Sequence, residues 1–267
     1  ILRMINNYTY SGYMDNKDFI GIIPARFASS RFPGKPLAKI GDITMIERVY
    51  RQASKALDTV IVATDDTRIM QTVEAFGGNA VMTSGEHRSG TDRICEAYDL
   101  TGSKASVVIN IQGDEPFVNP EQIESLKGCF NDPAVDIATL VRRFNPDDGF
   151  EALFDKNTPK VVMDNQMNAL YFSRSIIPYV RNYPWEEWTS KSVFYTHVGM
   201  YAYRAETLHN ITQLPQSSLE IDESLEQLRW LQNGYRIRTA ITACKTIGID
   251  TPEDLEKACR FAAGNNL

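Results

Sequence analysis

With 267 residues, 43% hydrophobic and 23% charged, the chain has the composition of a globular protein with room for one large α/β domain, or a domain carrying a lobe. Its net charge of −6 argues against general nucleic-acid binding, and no apolar run approaches the ~20 residues of a membrane-spanning helix. Cys95, Cys129, Cys244 and Cys259 include no Cys-x-x-Cys pair and read as reduced thiols, while His87, His197 and His209 lack the spacing of a zinc cluster. Residues 1–13 have neither the basic start nor the apolar core of a signal peptide and are read as a non-native or disordered extension ahead of Met14.

Residues 19–23 form a buried strand that breaks at Pro24. The loop that follows carries Arg26, Arg31 and Lys35, the hydroxyls of Ser29 and Ser30, and Gly34, and is stiffened by Pro33 and Pro36. A stiff cationic loop at the carboxyl end of a strand is where an α/β protein binds anions, and three cations suit a polyanion such as a triphosphate. Neither a Gly-x-x-x-x-Gly-Lys-Ser/Thr loop nor a Gly-x-Gly-x-x-Gly turn is present, which disfavours a nicotinamide dehydrogenase.

A helix with Thr44 as N-cap follows, then a strand at 59–63 ending in Thr64-Asp65-Asp66, which can cap a helix over 68–76. A strand at 80–82, a polar loop at 83–91 and a helix at 92–98 lead to an unbroken apolar strand at 107–111, expected to be central and parallel. Four strand–helix units in succession predict a doubly wound, mostly parallel α/β sheet. The pattern then changes to a strand at 136–142, a hairpin at 161–172 and a strand at 198–203 entered through His197. A helix is expected over 220–233, strands over 237–240 and 246–250, and a last helix capped by Thr251 with Pro252 in its first turn. Tyr183, Trp185, Trp188, Phe194 and Tyr195 either fill the core under a lobe or form a subunit contact. With no linker or repeat, residues 14–267 read as one domain, with about 130–205 contributing a smaller lobe for substrate and dimerisation.

Asp114 follows a buried strand through Gly113, and Asn119 is the better cap for the helix beginning near Pro120, so Asp114 is left free. Thr251 likewise relieves Asp250 of a capping role. Two free carboxylates and a cationic loop make a metal–phosphate site, and Mg²⁺ takes one or two carboxylates plus phosphate oxygens. The loop from His87 to Arg93 offers Ser89, Gly90 and Thr91 to a nucleotide or sugar, although Thr91 also fits an ordinary N-cap. Arg174 is a cation after a strand, suited to a substrate carboxylate or to a surface ion pair. Glu223 and Gln227 are spaced to share a helix face, with Glu226 beside them.

Taken together these segments resemble the 3-deoxy-manno-octulosonate (Kdo) cytidylyltransferases. The likeness rests on Ile23-Pro24-Ala25-Arg26, Ser30-Arg31, Pro33-Gly34-Lys35-Pro36-Leu37, Val62-Ala63-Thr64-Asp65, Ser89-Gly90-Thr91-Asp92-Arg93 and Gln112-Gly113-Asp114-Glu115-Pro116. It continues through Leu170-Tyr171-Phe172-Ser173-Arg174, His197-Val198-Gly199-Met200-Tyr201, Leu225-Glu226-Gln227-Leu228-Arg229 and Gly248-Ile249-Asp250-Thr251-Pro252. The resemblance implies a nucleotide-diphospho-sugar transferase-like fold and transfer of CMP from CTP to Kdo with release of pyrophosphate, for lipopolysaccharide synthesis. It implies a Mg²⁺-dependent, cytoplasmic homodimer that binds neither nucleic acid nor membrane. Arg26, Lys35, Asp114 and Asp250 would be catalytic, the two aspartates as metal ligands. Pro24, Ala25, Arg31, Ser89, Gly90 and Thr91 would join Arg26 and Lys35 around the nucleotide. Gln112, Arg174, His197, Tyr201, Glu226 and Gln227 would face the sugar acid. No side chain stands out as a general base, so Mg²⁺ is expected to acidify the attacking hydroxyl. The alternatives are a sibling enzyme for sialic acid or an 8-amino Kdo analogue, and a silent nucleotide-binding protein, which would need neither aspartate.

Overall fold

The computed structural model describes residues 14–28, 31–245 and 247–265. The expected extension at 1–13, the hydroxyls of Ser29 and Ser30, and Thr246 lie outside the described residues.

The apolar run after Asp18 forms β1 (Phe19–Ala25), two residues longer than expected because Pro24 pairs in register with Ala63 of a neighbouring strand. A short hairpin, β2 (Lys39–Ile40) and β3 (Ile43–Thr44), leads into α1 (Met45–Ala53), whose N-cap Thr44 accepts a bond from Glu47 N. Next come β4 (Val60–Thr64), α2 (Thr67–Ala75) capped by Asp66, and β5 (Ala80–Met82). The helix after the polar loop, α3 (Gly90–Thr101), starts two residues before the expected position. Ser89, not Thr91, is its N-cap, accepting from Asp92 N at 3.0 Å. β6 (Val107–Asn110) and α4 (Pro120–Cys129) follow, with Asn119 as cap in a reciprocal pair with Gln122.

The second half supplies β7 (Ile137–Arg143), the hairpin β8 (Lys160–Met163) and β9 (Ala169–Ser173), α5 (Trp188–Lys191) and β10 (Tyr195–Arg204). It ends with α6 (Ala205–Thr212), α7 (Ser218–Glu223), α8 (Gln227–Gln232), β11 (Ile237–Ile241) and α9 (Pro252–Gly264).

The strands run in the order β11-β7-β10-β6-β1-β4-β5, with the β8–β9 hairpin attached to the start of β10. β5, β4, β1 and β6 are mutually parallel, as are β7 and β11, and β10 is inserted antiparallel between β6 and β7. β6 is central as expected, with a parallel neighbour on one side only. Residues of α1, α2 and α4 pack on one face of the sheet, and those of α3, α6 and α8 on the other, giving the three-layer arrangement of a doubly wound fold. The chain leaves β1 toward β4 and later returns to β6 on the opposite side. The loops after β1 and β6 therefore part at a topological switch point, where such sheets open a crevice.

Two expectations are corrected. The helix over 220–233 is two helices, broken at Ser224, which adopts φ +49°. Arg174 causes the break to be tolerated: its guanidinium donates to Glu223 O (2.6 Å) and Ser224 O (3.1 Å). In an unbroken helix those carbonyls would accept from the amides of Gln227 and Leu228. Glu223 and Gln227 therefore do not share one helix face. The strand expected over 246–250 is also not formed; residues 247–250 are irregular. Ile249 is buried against Ile40, Met45, Ala258 and Ala262, and a single bond from its amide to Asp114 O (3.0 Å) ties the segment to the loop after β6.

The aromatic stretch divides between its two readings. Trp188 and Phe194 are buried with Phe144 and Leu153, whereas Trp185 and Tyr183 are exposed.

Candidate active site

The crevice at the carboxyl ends of β1 and β6 is a cleft of about 320 Å³. Pro24, Ala25, Arg26, Arg31, Lys35, Ser89, Gly90, Gln112, Asp114 and Asp250 line it, so four sequence-distant segments meet there. Gly113 permits the meeting: a Cβ there would lie 2.8 Å from the carbonyl oxygen of Pro24. The backbone after β6 thus passes directly over the end of β1, and this contact sets Asp114 opposite the cationic loop. Gly34, at φ +72°, turns that loop back, and its amide donates to Phe27 O at 2.9 Å.

Lys35, Arg31 and the two aspartates of the cleft are paired with one another. Lys35 Nζ donates to Asp114 Oδ2 at 2.8 Å and to Asp250 Oδ1 at 3.3 Å, and Arg31 pairs with Asp250 Oδ2 at 3.1 Å. Lys35 is only 13% exposed, whereas Asp250 is 49% exposed and faces solvent. Two carboxylates from opposite halves of the chain converge on one cation. The convergence is the property a divalent ion requires, and the ammonium stands where positive charge is wanted. Glu115, beside Asp114, has a buried Oε2 without a partner among the described residues; desolvation, reinforced by the charge of Asp114, raises the carboxyl to about 7.

His87, Arg88 and Arg93, which belong to the loop read from the sequence but were given no binding role there, also line the cleft. His87 is held by Glu96, which also accepts from Ser84 N. Arg93 is buried, bonded to Thr83 Oγ1 (2.6 Å) and Asp65 Oδ2 (2.8 Å). That pairing gives the Thr64-Asp65 segment its role. The signal was there in Arg93 standing one helical turn from the Ser89–Gly90 start of α3.

The residues expected around the sugar acid occupy three settings. Gln112 lines the cleft and donates to Gly199 O at 2.9 Å. His197, Tyr201 and Gln227, expected to face the sugar acid, are not among the residues that line it. His197 Nε2 is 3.0 Å from Thr139 Oγ1, and desolvation lowers the imidazole to about 4, which favours the neutral form at pH 7. Tyr201 sits at the end of a bulge in β10, packs edge-on against Trp230, and has a buried hydroxyl without a partner among the described residues; burial pushes it well above its ordinary value. Gln227 Nε2 is likewise buried and unpartnered, as are Asn110 Oδ1 and Tyr203 Oη, two groups the sequence reading did not include. Glu226 accepts from Thr91 Oγ1 at 2.8 Å and from Arg229 at 3.3 Å, and burial raises its carboxyl. Thr91 is therefore buried and engaged with Glu226, outside the cleft lining. Arg174 is apart from the cleft, its guanidinium given to the carbonyls of Lys156, Glu223 and Ser224. It positions the turn from which Glu226 and Gln227 start.

A doubly wound sheet whose switch-point cleft sets paired aspartates against a cationic loop defines a nucleotidyltransferase. The chain belongs to the cytidylyltransferase family, whose description matches residues 20–261, and within it to the 3-deoxy-manno-octulosonate cytidylyltransferases. It is 61% identical over 246 residues to the 3-deoxy-manno-octulosonate cytidylyltransferase of Parabacteroides distasonis, covering 92% of this chain and 98% of that one. The same enzyme of Phocaeicola vulgatus is 60% identical over 243 residues, covering 91% and 96%. A solved structure of CMP:2-keto-3-deoxy-manno-octonic acid synthetase complexed with CTP superposes with a TM-score of 0.84 at 44% identity, over 92% of this chain and 99% of that one.

Proposed function

We propose that the protein joins Kdo to CMP. The oxygen of the sugar acid's anomeric hydroxyl forms a bond to the α-phosphorus of CTP and its proton passes to solvent, the bond from that phosphorus to the bridging β-phosphate oxygen breaks, and pyrophosphate leaves with the electron pair. The observation that carries this reading is the convergence of Asp114 and Asp250 on Lys35 in a cleft otherwise lined by Arg26, Arg31 and the start of α3. Charge neutralisation and alignment are the main demands of phosphoryl-type displacement, and this cleft supplies both.

Asp114 and Asp250 would hold Mg²⁺, which when bound would offset phosphate charge and acidify the sugar hydroxyl. Lys35 and Arg31, relieved of the carboxylates, would exchange them for phosphate oxygens, with Arg26 joining from the end of β1. Ser89 and Gly90, at the amino end of α3, would add backbone donors to the nucleotide. Gln112 would meet the sugar at the cleft edge. The unpartnered Tyr201 Oη and Gln227 Nε2, with neutral His197 and Glu226, would serve its hydroxyls, and Arg174 would hold their turn in place.

The chain would act in the cytoplasm as a homodimer. The exposed aromatics Phe154, Tyr179, Tyr183 and Trp185, which edge one depression, favour a second copy as the covering surface. The substrate assignment is tested by pyrophosphate release with CTP, Mg²⁺ and a panel of sugar acids. Kdo is expected to be the best acceptor; turnover of sialic acid or another acid without turnover of Kdo overturns the assignment.

A further inference from the structure

Where α3 packs against α6, outside the cleft lining, Cys95 and Asp99 stand one turn apart on the same helix face, opposite His209 of α6. Their Sγ, carboxylate and imidazole atoms all lie within 4.8 Å of one another. The three come from positions 95, 99 and 209, so spacing along the chain gives no hint of the cluster; packing of α6 on α3 creates it.

We propose that Cys95, Asp99 and His209 form a binding site for a thiolate-preferring divalent metal, Zn²⁺ foremost, that staples α3 to α6. The donor set is one sulfur, one imidazole nitrogen and one carboxylate oxygen, a combination suited to Zn²⁺ or Co²⁺ and unsuited to Mg²⁺. The imidazole is already oriented for the task. Nδ1 donates to Ala205 O at 2.8 Å, which leaves Nε2 facing Asp99 Oδ1 at 2.7 Å with its lone pair available once a metal replaces the shared proton. Tyr98 packs edge-on against the same ring at 6.0 Å and fixes its plane.

Ligand atoms around tetrahedral Zn²⁺ stand about 3.3–3.7 Å apart. The imidazole–carboxylate pair must therefore open slightly and the thiol close on both. Asp99 can supply the movement, since its side chain is 56% exposed and His209's is 42% exposed. Cys95 is buried, with Thr212 Oγ1 donating to its sulfur at 3.8 Å, and it gives up its proton on binding. Three protein ligands leave the fourth position to water from the exposed side. Asp99 lies about 13 Å along α3 from Gly90 at the cleft. The site is thus separate from Asp114 and Asp250, and its effect is on how firmly α3 is anchored.

The test is a Co²⁺ titration of the reduced full-length protein followed by absorption. A thiolate-to-cobalt charge-transfer band in the near ultraviolet is expected, together with strong visible bands of four-coordinate cobalt. Oxygen-ligated cobalt at the aspartate pair gives no thiolate band. Cys95→Ser, checked for wild-type circular dichroism, is expected to lose the charge-transfer band while keeping turnover. Asp99→Asn, exposed and safe for the fold, is expected to weaken Co²⁺ binding by at least about tenfold. Zn²⁺ is expected to raise the melting temperature of the wild type by more than that of Cys95→Ser, which keeps the aspartate pair. A charge-transfer band that never appears, or one that survives Cys95→Ser, overturns the proposal.

Discussion

Replacing Lys35 by alanine separates what the residue does for the fold from what it does for the reaction. In the free protein its ammonium bridges Asp114 at 2.8 Å and Asp250 at 3.3 Å. The gross attraction at such distances is several kcal/mol. Both aspartates are more than a third exposed, however, so screening leaves each pair a net worth of about 1 kcal/mol or less. Folding stability should fall by no more than about 2 kcal/mol, and the melting temperature by roughly 4–8 °C at most. With the triphosphate in place, the same ammonium becomes a positioned cation aimed at charge that develops in the transition state. Loss of one such donor costs about 2.7–4 kcal/mol, or about 10²–10³ in turnover. Steady-state pyrophosphate release against CTP concentration, beside a thermal melt, measures both quantities. A loss below about tenfold in kcat/KM, or a fold that collapses, would refute the assignment of Lys35 to the transition state.

Gly113→Ala should lower turnover by on the order of tenfold or more and destabilise the fold by about 1–3 kcal/mol, because its Cβ would press to 2.8 Å on the Pro24 carbonyl and displace Asp114; wild-type activity in the variant would show that the two loops need not touch. His197 gives a pH signature. Its folded value of about 4 lies below the unfolded 6.5, so the unfolded chain takes up a proton first as pH falls. No penalty exists above about pH 6.5, and it grows to about 3 kcal/mol as pH drops toward 4. Unfolding free energies of wild type and His197→Gln should therefore converge, in the variant's favour, between pH 7 and pH 4; parallel curves would place the imidazole in a wetter setting.

Much of the cleft was legible in the sequence because its parts obey local rules. A strand that runs into Pro24, a cationic loop turned by Gly34, and aspartates relieved of capping by Asn119 and Thr251 each carry their meaning within a few residues. The features that were not legible depend on contacts from elsewhere. Residues 220–233 carry a helical pattern throughout, and only the arrival of Arg174 from the end of β9 supplies substitute partners for the carbonyls at the break. The antiparallel insertion of β10 is similarly invisible, since an apolar strand between β6 and β7 reads the same in either direction. Residues 247–250 looked like a strand because Ile247 and Ile249 are apolar, yet Ile249 fills a satellite core under α9 and has one backbone bond to the site. Arg93 stands in a motif read from the sequence but carries no role there, because a buried arginine announces itself only through its partners, Asp65 and Thr83.

The central claim is that Asp114 and Asp250, brought together from opposite halves of the chain, make one centre for transfer of CMP to Kdo. The most direct measurement is formation of CMP-Kdo and pyrophosphate from CTP, Kdo and Mg²⁺ by the wild type and by Asp114→Asn and Asp250→Asn, with circular dichroism of all three. Equimolar products from the wild type, and their loss in both folded variants, are predicted. Absence of CMP-Kdo from the wild-type reaction, or near-normal turnover in either variant, would contradict the account.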